Sequence, residues 1–154
     1  MVLRIDELDQ RILDCLAVDG RLSHAEIGRQ IGITGPAVYA RLRRMEESGV
    51  IRGYRVDIDR SAVGQPLVAF VRITTRPIKT QTDTLEPYMW SESRIIECHD
   101  ITGEDTFIVK VQCKDPEDLR KLLLDIRAQP QVIKTISSVA LVVVKEPGMR
   151  PPLI

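Results

Sequence analysis

Three arginines lie close together in the stretch RLRRMEESG, from Arg41 to Gly49, with two apolar residues between and after them. A guanidinium group presents a planar set of N–H donors that fits phosphate oxygens and the edge of guanine. The chain has zero net charge, yet residues 21–55 hold seven arginines against three glutamates, a local balance of +4. This segment predicts one face that meets nucleic-acid phosphate. The alternative is a solvated helix face, on which the last two arginines balance Glu46 and Glu47.

The segments before the arginines carry the start and stop signals of two helices. Apolar residues recur at helical spacing from Ile5 to Leu16, and Gly20 supplies a left-handed stop. Ser23 and Glu26 have the spacing of a capping box, which predicts the start of a second helix. Gly32 ends this helix.

The arginines themselves belong to a predicted third helix. Thr34 can cap it, and Pro36 lies in its first turn, where a missing N–H costs nothing. The helix runs to about Ser48, and with the second helix it forms a helix-turn-helix pattern. The stretch VIRGYRVDID that follows, residues 50–59, predicts a short hairpin or wing.

On a helical wheel, Val38, Leu42 and Met45 form the inward stripe of the third helix. The outward face is small near the helix start and carries arginines a turn later, so it can enter a groove of double-stranded DNA. The predicted DNA contacts are Ser23, Thr34, Gly35, Pro36, Tyr39, Ala40, Arg41, Arg43 and Arg44.

The second half of the chain changes to strand signals after a small, polar segment, which we interpret as a linker. LVAFVRITT predicts a strand. Residues 82–91 predict a helix that Pro87 interrupts, and the runs on either side of GED predict a β-hairpin. DPEDLRKLLLDIRAQ predicts an amphipathic helix capped by Asp115. VIKTISSVALVVVK, residues 132–145, predicts one long last strand. The order βαββαβ is a ferredoxin-like unit.

The predicted fold class is therefore α+β, an N-terminal winged helix-turn-helix followed by a C-terminal ferredoxin-like βαββαβ domain. We expect the DNA-binding domain at 1–58, the linker at 59–66, the βαββαβ domain at 67–146 and a loose tail at 147–154. The helices of such a unit cover one face of its sheet, but LVAF, FIV and VALVVV are apolar on both faces. The uncovered face predicts a homodimer stacked sheet on sheet, and a monomer with an apolar surface is the alternative.

Composition argues against several other classes. No run approaches the roughly 20 apolar residues that span a bilayer, and MVLRIDELDQ lacks an apolar signal core, so no membrane association and a cytoplasmic location are expected. Three cysteines at irregular spacing and two distant histidines give little support for disulfides or a metal site. No paired carboxylates, nucleophile–base pair or phosphate loop indicates catalytic residues or a cofactor.

The ordered set of motifs resembles the Lrp/AsnC feast/famine regulators. LDQRILDCL, a DGR turn, RLRRME and GVIRGY stand in the order of that family. ECHDITGEDTFIVKV and DLRKLLLDI are similar to its amino-acid-binding regulatory (RAM-type) domain, so the likeness spans about Ile5 to Lys145. It implies a transcriptional regulator that dimerises through its βαββαβ domains and often assembles into a tetramer of dimers, a homo-octamer.

The resemblance also implies a free amino acid as effector, bound between dimers near the turn that joins the second and third strands. Backbone N–H groups at Gly103 could bind the carboxylate, and Asp100, Glu104 or Asp105 the ammonium group. From the residues alone, TGED is more simply a polar hairpin turn. The family usually carries an acid where Thr106 stands, which predicts a changed or lost effector preference. The implied effector residues are His99, Asp100, Thr102, Gly103, Glu104, Asp105, Thr106, Thr135 and Ser137.

Two other functions fit parts of the pattern. One is an architectural DNA-binding protein that has no effector. The other is an enzyme like the sirohaem decarboxylases, which share this architecture but need histidines and arginines that line a tetrapyrrole cleft. The chain has His24 and His99 only, and His24 belongs to the helix-turn-helix, so we expect no enzyme activity.

Overall fold

The computed structural model of the chain describes residues 4–77 and 84–145. The chain divides into two compact units, and the division lies between Asp57 and Ile58. The predicted tail at 147–154 lies outside the described residues, as do residues 82 and 83 of the predicted fourth helix. In the part of the chain that is described, no helix combines the length and the apolar composition needed to cross a membrane.

The first unit is built from three helices whose starts are fixed by side-chain caps. Asp6, Ser23 and Thr34 each accept a backbone N–H from the first turn, and the first two form complete capping boxes. Gly32, at φ +81°, ends the second helix in the left-handed conformation. The predicted helix-turn-helix is therefore confirmed. The helices are α1 (Glu7–Val18), α2 (His24–Ile31) and α3 (Gly35–Glu47).

The apolar faces of these helices share one core, which confirms the predicted inward stripe of α3. Val38 and Met45 are fully buried and Leu42 is nearly so. Full burial of such a side chain stabilises the fold by roughly 1.5–3 kcal/mol. The core residues are Ile12, Ile27, Ile31, Val38, Leu42 and Met45.

The hairpin predicted after α3 is not formed, since residues 50–58 contain no strand. The helix α3 ends at Glu47, Gly49 follows at φ +76°, and the Ile51 N–H donates to the Met45 carbonyl at 3.1 Å. Ile51 packs against the core, and the Tyr54 hydroxyl donates to Glu46 at 2.9 Å. The segment is thus anchored to the end of α3 and not by pairing with a second strand.

The second unit is a four-stranded antiparallel sheet with strand order β2-β3-β1-β4 and two helices. The βαββαβ order confirms the predicted fold. Asp115 caps the last helix and proline occupies its first turn, as the sequence predicts. The elements are β1 (Leu67–Thr75), α4 (Glu86–Ser91), β2 (Ile95–Asp100), β3 (Phe107–Cys113), α5 (Pro116–Arg127) and β4 (Val132–Val139).

One face of the sheet packs against the two helices and forms the core of this unit. Alternate residues of β1 and β3 supply it, because successive side chains of a strand point to opposite faces. The helices contribute apolar residues at helical spacing. The core residues are Ala69, Val71, Ile73, Leu85, Met89, Phe107, Val109, Val111, Cys113, Leu119, Leu122 and Ile126.

The other face of the sheet, which the helices leave open, is apolar at its centre and polar around it. In the register of β1 with β3, Phe70 stands opposite Lys110 and Arg72 opposite Ile108. Phe70 is 42% exposed. LVAF and FIV are therefore apolar on both faces, as predicted, although lysine and arginine share the open face with them.

The last strand is shorter than predicted. β4 ends at Val139, after which the Ala140 N–H donates to the Val68 carbonyl at 2.9 Å. Because β1 begins at Leu67, the chain beyond Ala140 has no strand left to pair with. Leu141 is accordingly 99% exposed, so the VVV run does not extend the sheet.

The fourth helix is not interrupted by Pro87, which corrects the prediction. α4 begins at Glu86, so proline occupies its first turn, where no N–H is required. The helix buries Met89 against the sheet and leaves Trp90 exposed.

Candidate nucleic-acid interface and ligand region

The face of α3 that points away from the core carries Pro36, Tyr39, Ala40 and Arg43, all of them exposed. We call these four residues the outer α3 surface. It begins at a well-formed helix start, where the Thr34 hydroxyl accepts the Ala37 N–H at 3.3 Å. Small side chains followed by an arginine leave room for the helix to approach the floor of a DNA groove.

Two residues of the outer α3 surface, Tyr39 and Arg43, contact neighbouring side chains. The ring of Tyr39 lies 5.4 Å from that of His24. Arg43 Nε donates to Glu47 Oε1 at 2.7 Å, and both side chains are 63% exposed. This pair agrees with the solvated-face alternative for Arg43. An exposed pair contributes roughly 0–1 kcal/mol, so a phosphate can replace the glutamate at little cost.

Arg41 and Arg44 point toward α1 instead. Arg41 Nη1 donates to Asp6 Oδ2 at 2.6 Å and to Asp9 Oδ1 at 2.8 Å, and Arg44 Nη2 donates to Asp9 Oδ2 at 2.6 Å. The hydrogen bond from Arg41 lowers the pKa of Asp6 below its ordinary value. Arg44 therefore does not balance the glutamates of its own helix. The DNA contacts predicted for both arginines stay predictions, and each side chain already has a carboxylate partner.

Ser23 and Gly35 lie at the starts of α2 and α3. The Ser23 hydroxyl donates to Glu26 Oε2 at 2.6 Å and accepts the Glu26 N–H at 3.2 Å, so the helix cap uses its hydrogen bonds. A Cβ on Gly35 would lie 3.5 Å from the backbone of Ala25, an ordinary contact. Ser23 therefore fixes the start of α2, and Gly35 lies close to the first turn of that helix.

The residues predicted to bind an effector between His99 and Thr106 form the turn from β2 to β3 and its two ends. The Ile101 N–H donates to the Thr106 carbonyl at 2.9 Å, which closes the turn, and Gly103 has a φ of +123°. The Thr106 hydroxyl accepts the Thr75 N–H at 3.1 Å. The turn is therefore tied to β1, and its exposed tip is formed by residues 102–104.

Asp105 is held by β1. The Thr74 hydroxyl donates to its Oδ1 at 2.9 Å, and Arg72 Nη1 donates to its Oδ2 at 3.3 Å. Its carboxylate supports the turn, which leaves Asp100 and Glu104 as the better placed carboxylates for an ammonium group.

Thr135 and Ser137 lie on β4, at the opposite edge of the sheet from β2. In the strand registers, Asp100 pairs with Phe107, Phe107 with Ile73, and Ile73 with Thr135. Three strand spacings of about 4.8 Å separate the two ends of this row, roughly 14 Å in all. The buried side chains between them prevent one small molecule from contacting both ends, so the predicted set does not form a single pocket within one chain.

A cleft of about 340 Å³ lies between α4 and the edge strand β2. Asp100 lines it, whereas His99, opposite Ile108, lies on the open face of the sheet. This cleft was not predicted from the sequence, because it depends on how α4 packs beside β2. The lining residues are Glu86, Met89, Trp90, Ile95, Ile96, Glu97, Cys98, Asp100 and Phe107.

Comparison with known proteins decides the family. The AsnC-type helix-turn-helix domain matches residues 5–46, and the Lrp/AsnC ligand binding domain matches residues 68–149. The chain belongs to the Lrp/AsnC family. It is a transcriptional regulator with a DNA-binding helix-turn-helix and a ligand-binding domain.

Individual relatives of this Lrp/AsnC regulator match over most of their length. An uncharacterized HTH-type transcriptional regulator of Pyrococcus abyssi is 32% identical and covers 92% of this chain and 95% of its own. The HTH-type transcriptional regulator LrpA of Mycobacterium tuberculosis is 33% identical, with 89% and 90% covered. A solved feast or famine regulatory protein from M. tuberculosis, complexed with L-methionine, is 30% identical with a TM-score of 0.86, covering 97% of this chain and 100% of that one.

Sequence reasoning missed two structural features of the DNA-binding unit of this Lrp/AsnC regulator. One is the pair Asp6 and Asp9, whose spacing of three residues matches that of the arginines they bind. The other is Gly28, where a Cβ would lie 2.5 Å from the Ile33 carbonyl oxygen. A glycine inside a helical pattern was the available signal for this close approach.

Proposed function

We propose that this Lrp/AsnC regulator binds specific DNA sequences by placing α3 in the major groove. The outer α3 surface carries this proposal, because it is exposed, begins with the small ring of Pro36 and ends with Arg43. A helix-turn-helix places its second helix in the major groove, with the first residues of that helix at the base edges. A regulator of this kind acts in the cytoplasm, where the DNA is.

Arg43→Ala tests the contact. If Arg43 reads a base, the variant loses about 1–3 kcal/mol of binding free energy on the operator and less on unrelated DNA. If it contacts phosphate, the loss is similar on all sequences and the salt slope falls by about 0.9. Arg11→Ala, an exposed arginine on α1, is the matched control. Unchanged binding of Arg43→Ala on every duplex would contradict the proposed orientation of α3.

The proposal includes a homodimer formed by the open sheet face, whose centre holds Phe70, Ile108 and Ile136. Two such faces can bury their apolar centres against each other, because sheets pack face to face about 10 Å apart. A twofold dimer favours pseudo-palindromic sites with half-sites about one helical turn, or a multiple of it, apart.

Sedimentation of Phe70→Lys tests the dimer. We expect the variant to sediment as a monomer, because an ammonium group would be buried in the interface without a partner. Leu124→Lys, which places the same charge at an exposed leucine of α5, is the control and keeps the wild-type mass. A wild-type chain that sediments as a monomer and still binds its operator tightly would refute the dimer.

We further propose that a free amino acid is the effector and that it binds at the tip of the β2–β3 turn, between two dimers of a larger assembly such as a tetramer of dimers. The match to a ligand-binding domain and the methionine complex of the relative support this. The separation of Asp100 from Thr135 by about three strand spacings also favours a site completed by a second dimer.

DNA affinity and assembly size, each measured with and without each of the twenty amino acids, test the effector. We expect at least one, with methionine the first to try, to shift one of the two quantities, and Glu104→Gln to reduce that shift while Glu117→Gln does not. If none has an effect, the effector-independent architectural protein replaces the sensor. No observation favours a decarboxylase, and a sirohaem absorption band that persists with the purified protein would reopen that possibility.

A further inference from the structure

A carboxylate is buried at the centre of the DNA-binding unit. Asp9, in the first turn of α1, is fully buried, and both of its oxygens accept hydrogen bonds from α3, one from Arg41 at 2.8 Å and one from Arg44 at 2.6 Å. Its Oδ2 also accepts the Asp6 N–H at 3.1 Å, and its own N–H donates to Asp6 Oδ1 at 2.8 Å. The two arginine hydrogen bonds of this carboxylate join the start of α1 to α3.

The spacing of the four side chains determines how α3 sits. Asp6 and Asp9 are three residues apart on α1, and Arg41 and Arg44 are three residues apart on α3, so each pair lies on one face of its helix. Arg41 bonds to both carboxylates and Arg44 to the buried one. A rotation of α3 about its axis would separate these groups, and the same rotation would redirect the outer α3 surface.

We propose that Asp6 and Asp9 are positioning residues for the DNA-binding helix, and that they withhold Arg41 and Arg44 from phosphate so that Arg43 makes the arginine contact of α3. The inference rests on the proposed DNA-binding function. The Arg44 side chain is 47% exposed, but its Nη2 is bonded to Asp9. Turning the whole guanidinium toward a phosphate would leave the buried carboxylate of Asp9 with one arginine, which is costly in a buried site.

The ion pair that Arg43 must break to contact DNA is weaker than that of Arg44, because its partner is exposed. Its partner Glu47 is 63% exposed and is solvated when the arginine leaves, whereas the Asp9 side chain is 0% exposed. Arg43 and Arg44 are both partly exposed, at 63% and 47%, so they differ mainly in the carboxylate that each must leave to turn toward a phosphate.

The salt dependence of binding to a random-sequence duplex separates the two arginines. Each phosphate contact contributes a slope of about 0.9 in log K against log salt, so between 50 and 200 mM salt one contact changes affinity by roughly 3.5-fold. We expect Arg43→Gln to lower the slope by about one contact. Arg44→Gln should leave the slope unchanged, and Asp9→Asn, which frees Arg44 from its carboxylate, should raise it by up to one contact.

The double variant Asp9→Asn/Arg44→Gln is a second test in case a single variant fails to fold. It removes the buried charge together with one of its partners. In urea unfolding, we expect each single variant to lower the midpoint and the double variant to lower it by less than the two together. Its salt slope should equal that of the wild type. A merely structural role for Asp9 would move the midpoints and leave the slope of Asp9→Asn unchanged or lower.

Two outcomes are distinguishable. If the wild type binds the random duplex and the slope of Arg44→Gln or of the double variant falls by about one contact, Arg44 touches phosphate and the inference is overturned while the proposed function stands. If the wild type binds neither random nor operator DNA at low salt, the proposed function itself fails and the inference with it.

Discussion

Gly28 is the position where a single methyl group should damage the helix-turn-helix. It lies inside α2, and a Cβ built on it would be 2.5 Å from the Ile33 carbonyl oxygen and 3.3 Å from the Gly35 nitrogen. The Gly28 carbonyl also accepts the N–H groups of Gly32 and Ile33, at 2.9 and 3.0 Å. The obstacle is therefore backbone that is bonded to the same residue, and it cannot swing aside as a flexible side chain would.

Two opposing terms set the size of the effect. Alanine is favoured over glycine within a helix by about 0.5–1 kcal/mol. Forcing an extra methyl group into a well-packed site costs typically about 1–3 kcal/mol. Because the contact is far shorter than van der Waals distance and its partner is backbone, we take the upper part of that range. Gly28→Ala should destabilise the first unit by about 1–2 kcal/mol, a factor of 5–30 in its equilibrium.

Amide hydrogen exchange of the full chain measures this without separating the units. Peptides from residues 24–47 should lose protection by the expected factor, while peptides from β3 and α5 serve as the internal reference. The matched control is Gly20→Ala, where the new Cβ would lie an ordinary 3.8 Å from the Leu16 carbonyl oxygen. Protection of Gly28→Ala equal to or above that of the wild type would refute the reasoning, since the turn would then accommodate the methyl group.

Three further predictions concern the second unit. Arg94 is bonded to three carboxylates at 2.7–3.1 Å, so Arg94→Gln should lower the free energy of unfolding, measured in urea, by about 2–3 kcal/mol, somewhat less than the loss of a fully buried ion pair. The control Arg120→Gln, whose exposed pair spans 3.6 Å, should lower it by less than about 0.5 kcal/mol. The hydrogen bond from Arg94 lowers the pKa of Glu92 from its ordinary 4.5, so this contribution is present above pH 4.5 and lost as the pH falls through the folded pKa; acid titration should therefore destabilise the wild type more than Arg94→Gln. Burial raises the pKa of the Cys113 thiol to about 11 and also raises that of Cys98, but Cys113 is fully buried whereas Cys98 is exposed. A maleimide at neutral pH should therefore spare Cys113 in the folded protein and react first with Cys98.

Helix starts were predictable because their causes are local. The bonds at Ser23 and Asp115 join residues three positions apart, so their spacing in the sequence contains the whole interaction. The succession βαββαβ along the chain followed from equally local signals, namely β-branched and aromatic composition, turn residues and helix caps. Gly28 could also be recognised in the sequence as a glycine inside a helix, although the sequence does not show that the Ile33 carbonyl oxygen leaves no room for a side chain there.

Strand length was not predictable in this way, because a strand needs a partner. The run after Val139 has the β-branched composition of a strand. Its would-be neighbour β1 begins at Leu67, so pairing stops at Ala140 whatever residues follow. Similarly, the cleft between α4 and β2 depends on how these two elements pack, which neither segment shows by itself.

The arginine stretch shows why charge counted along the sequence overstates the charge that DNA can meet. Arg44 bonds to a carboxylate 35 residues away and not to the glutamates beside it. The position of Arg44 on the helical wheel indicated such a partner, because a charged residue that flanks an inward stripe faces the neighbouring helix and needs a partner there. Asp6 and Asp9 lie outside the window 21–55 that gave +4, and including them cancels two of those charges. With a narrower positive surface on each chain, tight binding depends more heavily on the two linked surfaces of the proposed dimer.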